Sequence, residues 1–197
     1  MKNIKTILIA VLSFMLLFSI SCKNEDKTGG GSGGVDLDSI PTASGTEATA
    51  ADLSLYNGKA YTGTVGSGVT RKSYTSNPEG FGEQFIVEGN GSGGQVFVTI
   101  TNNIIDYTGS SFTEPIILKS SGGNSYIASE DIDLDGFRYK SYIQITLNSA
   151  DTSKITFYLY MGMNGGPITT ESGAVYNNGG YKAEYEGTLT EDASQGS

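Results

Sequence analysis

The chain predicts an all-β fold, a single antiparallel domain of about eight to ten short strands over residues 52–189. Three observations predict it. Apolar residues recur with a period of two in run after run, as strands with one buried face require. Short stretches rich in Gly, Asn, Asp and Ser separate the runs. No segment offers a helical apolar period of useful length.

The clearest run is FRYKSYIQITL. Phe137, Tyr139, Ser141, Ile143, Ile145 and Leu147 share one face, and Arg138, Lys140, Tyr142, Gln144 and Thr146 share the other. KITFYLYM follows after NSADTS, a turn, so the two runs predict a hairpin. Ile155, Phe157, Leu159 and Met161 alternate there with Lys154, Thr156, Tyr158 and Tyr160. GQVFVTIT places Val96, Val98 and Ile100 on one side, and YKAEYEGTL turns Tyr181, Ala183, Tyr185 and Leu189 inward. Fainter strands are expected at 59–65, 83–89, 103–107, 115–120 and 125–129. The stretch NGGPITTESGAVYNNGG is expected as a long loop.

A closed barrel and a two-sheet sandwich both satisfy this pattern. Tyr61-Thr62-Gly63-Thr64-Val65 in the first strand matches Tyr185-Glu186-Gly187-Thr188-Leu189 in the last. Strands so matched are able to pair and close a barrel, with glycine at the tightest curvature, and this favours the barrel. The meander-like order is similar to small lipocalin-like barrels, although the Gly-x-Trp signature of that family is missing and the chain has no Trp.

Upstream of the domain, residues 1–5 carry two lysines and residues 6–20 carry no charge, the layout of an export signal. The apolar run is shorter than the roughly 20 residues that span a bilayer, so cleavage is expected rather than permanent insertion. The signal ends at Ser19-Ile20-Ser21-Cys22, and Cys22 is the only cysteine. This resembles the lipobox of bacterial lipoproteins, with Ser21 as the small residue before Cys and Ser19 where that family prefers Leu. The resemblance covers residues 1–22. It implies removal of residues 1–21, a diacylglycerol thioether and an N-acyl group on Cys22, and anchorage by palmitate-type chains. Each buried CH₂ is worth about 0.8 kcal/mol, so several chains hold firmly. Lys23 and Asn24 follow in place of the Asp that often retains lipoproteins in an inner membrane, which points to the outer membrane or cell surface of a diderm bacterium.

Residues 22–51 predict the acylated Cys and a flexible Gly/Ser/Thr tether, and residues 190–197 a disordered tail. Loss of Lys2 and Lys5 with the leader takes the basic count from 12 to 10 against 21 acids, a net charge of -11. Such a domain is repelled by nucleic acid, so none is expected as a partner.

The absence of His excludes a Ser-His-Asp triad, a Cys-His pair and a histidine zinc site. Gly30-x-Ser32-x-Gly34 matches a nucleophile elbow in letters but falls in the tether. Asp151-Thr152-Ser153 sits where a turn wants Asp and Ser, and nothing singles out a carboxylate pair. A catalytic role is not expected. Asp131, Asp133 and Asp135 with Gly136 resemble the opening of a D-x-D-x-D-G calcium loop, but Tyr142 stands where its bidentate Glu belongs. Ca²⁺ there would need carboxylates from elsewhere, such as Glu130, so a tight Asp-Gly turn is the expected role and no cofactor is assigned. Tyr142, Tyr158 and Tyr160 stand opposite the aliphatic stripes and would form a ladder on one surface, suited to a small molecule, glycan or protein and equally to sheet stabilisation. The function expected is a lipid-anchored, non-catalytic binding domain. The alternatives are a lipocalin-like carrier of a small apolar ligand and a structural envelope protein.

Overall fold

A computed structural model describes residues 34–81, 94–108, 114–134, 137–165, 168–169, 175–176 and 179–195. Cys22, Asp135, Gly136 and the strand expected at 83–89 lie outside the described residues. The strands are β1 (Thr46–Glu47), β2 (Lys59–Val65), β3 (Gly68–Asn77), β4 (Gln95–Thr101), β5 (Ile104–Tyr107), β6 (Ile116–Ile117), β7 (Lys119–Gly122), β8 (Ser125–Leu134), β9 (Phe137–Leu147), β10 (Lys154–Gly165), β11 (Ile168–Thr169), β12 (Val175–Tyr176) and β13 (Gly179–Glu191). Among the described residues β11 and β12 pair only with each other, inside the stretch expected as a loop.

The other strands form one sheet in the order β1-β7-β8-β9-β10-β13-β3-β2-β4-β5-β6. Its two ends meet, because β6 and β7 are pieces of one segment broken only at Leu118. β6 pairs with β5 and β7 pairs with β8. At the break, the Leu118 N–H donates to the Asn103 carbonyl (2.9 Å) and the Leu118 carbonyl accepts from Ala48 N–H (2.8 Å). The fold is therefore a nearly closed all-β barrel, as the period-two pattern and the matched end strands predict.

The first and last strands do pair. Tyr61 and Thr62 of β2 lie opposite Glu191 and Thr190, and after a kink Val69 of β3 lies opposite Gly187. The kink works because its glycines lack side chains. A Cβ at Gly63 would stand 2.6 Å from Leu189 Cδ2, and one at Gly187 would run into the Gly68 carbonyl oxygen and stand 2.9 Å from Val69 Cα.

The alternating stripes face as expected. Val98, Ile145, Leu159 and Leu189 are all fully buried inside, and the largest fully buried side chains are Tyr61, Tyr107, Tyr185, Phe81 and Phe157. Rings and branched aliphatics thus fill the barrel's axis, with dispersion contacts on every side.

Two expected boundaries change. Residues 34–51, expected as tether, are packed. Leu37, Ile40, Ala43 and Ala48 are each at most 5% exposed. The segment crosses the outer wall as a strap: Val35 exchanges two hydrogen bonds of 2.8 Å with the Asn164 amide, Ala43 N–H donates to Ser129 Oγ, and β1 adds to the edge of β7. Leu37 sits over Gly162, where a Cβ would stand 2.7 Å from its Cδ2. Leu53 and Tyr56 then join the main core. Four apolar anchors together with these hydrogen bonds order a stretch whose composition reads as linker. At the other terminus, β13 runs through Glu191 and Asp192 N–H donates to the Ala60 carbonyl (2.9 Å), so residues 190–192 belong to the fold rather than to a tail.

Candidate functional site

The hairpin β9–β10 sets the three tyrosines on the barrel's outer wall. Its register places Tyr160 opposite Tyr142 and Tyr158 opposite Gln144. Tyr142 and Tyr158 therefore meet on the diagonal, with ring centroids 6.4 Å apart and planes at 63°. This edge-to-face geometry suits the aromatic quadrupole. All three rings are half-buried.

Two of the three are held at the tip. The Tyr158 hydroxyl donates to Glu184 Oε2 (2.8 Å), and Ser73 Oγ donates to the other oxygen of the same carboxylate (2.8 Å). Burial, with the Glu184 carboxylate second, raises the Tyr158 pKa, so the phenol stays a donor at neutral pH. The Tyr160 hydroxyl lies 3.3 Å from Ser39 Oγ on the strap, and Lys182 Nζ donates to that same oxygen (2.8 Å). Burial also raises the Tyr142 pKa.

Below the rings the outer wall dips into a groove of about 360 Å³, lined by Gln144, Thr146, Thr156, Tyr158, Glu186 and Thr188. Short threonine side chains on three adjacent strands leave the depression, and the taller Tyr158, Gln144 and Glu186 bound it. Lys72 Nζ contacts Glu186 at 2.7 Å at the margin. The surface offers an amphipathic ring, hydroxyls, an amide and carboxylates, a set able to satisfy a polar ligand that also has an apolar face.

The aspartates behave differently. Asp131 and Asp133 lie on β8, which continues to Leu134 instead of ending at Ser129, so most of the expected turn is strand. Asp131 accepts from Arg138 Nε (3.1 Å) and Nη2 (3.0 Å), which holds its carboxyl below the usual range. Arg138 also bridges to Asp38 of the strap (2.9 Å). Among the described residues no three His, Cys, Asp or Glu side chains group as metal ligands do. Asp151 serves its turn: its Oδ1 accepts from Ser153 N–H (3.1 Å) and Ser153 Oγ (2.5 Å).

One polar group was invisible to the alternation argument because the stretch around it reads as a turn. Glu130 pairs with Ser141 in the β8–β9 register and so belongs to the inward face. Tyr107 joins them, its hydroxyl 2.7 Å from Ser141 Oγ and 3.5 Å from Glu130 Oε2. The burial of Tyr107, with the Glu130 charge second, raises its pKa. Tyr139 is buried beside them; Ser141 is near its hydroxyl without the geometry of a hydrogen bond.

No protein-family model matches this chain, and neither the curated proteins nor the solved structures give a match.

Proposed function

We propose that the protein is a lipid-anchored envelope lipoprotein whose barrel binds a partner, without catalysis, through the outer face of β9, β10 and β13. The observation that carries this reading is the meeting of Tyr142, Tyr158 and Tyr160 beside the polar groove. Aromatic rings with fixed hydroxyls give large contact area at small entropic cost, and they dominate recognition surfaces. Acylation at Cys22, in this reading, supplies the membrane attachment that an acidic barrel of this composition would not make for itself. The filled interior supports surface binding over the carrier alternative, which needs a lined cavity.

The test is a photo-crosslinking residue placed at Gln144, in the groove, and at Thr99, on the outer face of β4, in cells that carry the protein in place. Discrete adducts at Gln144 that vanish in Tyr142→Ser/Tyr158→Ser are expected. Equal labelling at Gln144 and Thr99, or none at either, would overturn the reading.

A further inference from the structure

We propose a second binding site, for an ammonium or guanidinium group carried on an aliphatic stem, in the opening between β6 and β8. It uses no residue of the tyrosine face. The opening follows from the closure at Leu118. Below it, β7 pairs with β8; above it, β6 stays with β5 while Ala128–Leu134 of β8 pair only with β9 among the described residues. The wall parts there into a groove of about 480 Å³, within the range of small-ligand sites.

The walls and floor of the groove differ in chemistry. Ile116 and Ile132 come from inward faces, opposite Ile105 and Tyr139 in register, and Pro115 and Ile117 add apolar surface. These walls suit methylene groups, each worth about 0.8 kcal/mol on burial. Among the groove's described residues Glu130 is the one carboxylate of the inward face, half-buried, with the Tyr107 hydroxyl 3.5 Å from Oε2 and Ser141 behind it. A carboxylate at the base of an apolar slot selects a cation, because the low local dielectric strengthens the pair.

The surrounding charges agree. Glu47 and Glu114 also line the groove. The one lysine among its described lining residues, Lys119, shares the outward face of Ile127 and donates to the Ala43 carbonyl (3.1 Å). Asp131 is neutralised by Arg138. The field over the slot is therefore negative, and an anion would be repelled.

The test titrates n-butylammonium and n-butylguanidinium against protein carrying ¹³C-methyl isoleucine, with n-pentanol and valerate as neutral and anionic controls. Saturable shifts of the Ile116, Ile117 and Ile132 methyls are expected with both cations, with Ile155 unmoved. Binding at least tenfold weaker is expected for pentanol, for valerate and for the Glu130→Gln variant. Ile116→Phe, which fills the slot and keeps its charge, is expected to abolish the shifts and covers the case in which Glu130→Gln does not fold. Equal affinity for pentanol and the cations, retention of binding in either folded variant, or shifts that never saturate would overturn the proposal.

Discussion

The Tyr107 hydroxyl lies 2.7 Å from Ser141 Oγ, and this contact joins β5 to β9 across the inside of the barrel. The two strands are not neighbours in the sheet; β6 and β8 lie between them at the closure, so the bond ties the two sides of that seam together from inside. Tyr107→Phe leaves the buried Ser141 hydroxyl without this partner and is expected to cost about 1–3 kcal/mol. Ser141→Ala should cost a similar amount. The double variant should fall short of the sum of the two in urea unfolding, since both remove one interaction. Additive losses would show that the bond contributes nothing.

The kink of the first strand depends on Gly187 having no Cβ. Gly187→Ala forces a methyl into the Gly68–Val69 backbone and is expected to destabilise by about 2 kcal/mol or more, read as a lowered Tm. Gly66, at φ +87° with nothing near the site of a Cβ, is the control for glycine chemistry alone: its Ala variant should incur only backbone strain, a smaller effect.

The strap contributes to stability. A chain starting at residue 52 is expected to unfold at a lower temperature than one starting at residue 34, because it lacks Leu37, Ile40, Ala43 and Ala48 and bares the edge of β7 that β1 pairs with. Leu37→Ala alone should cost about 2–4 kcal/mol by chemical denaturation. Identical melting of the two chains would mean that the docked segment adds no net stability.

Acid sensitivity has a specific source in Asp131, whose pKa is depressed chiefly by its hydrogen bonds from Arg138. A depressed folded pKa stabilises above the unfolded value, 3.8, and that stability disappears as pH falls through the lower folded value. The pair is partly solvent-exposed, so its worth is at most about 1 kcal/mol. Arg138→Gln should narrow the difference in stability between pH 5 and pH 2.5, and it should also loosen the strap through Asp38.

The architecture was legible wherever one face of a strand is apolar and the other polar. β9, β10 and β13 fulfil this along most of their length, and β2 falls at the residues expected. β3 escaped because its neighbours in the sheet, not its own pattern, make it a strand: of GVTRKSYTSN only Val69 is buried. The strap escaped for a related reason. Leu37, Ile40, Ala43 and Ala48 do not follow the strand period of two, since they dock onto features such as the Gly162 notch that exist only once the barrel has formed. The tyrosine ladder follows directly from alternation plus one hairpin register. Glu130 does not, because EDIDLDG has the composition of a turn and yet its first five residues continue β8.

In the proposed reading, anchorage at Cys22 after loss of the leader would give the barrel its place on a membrane, and the intact mass of protein purified from the membrane fraction tests this most directly. The predicted mass is that of a chain beginning at Cys22 with a diacylglyceryl group and one further acyl chain. A chain that keeps Met1, or one that begins at Cys22 with an unmodified thiol, would contradict it.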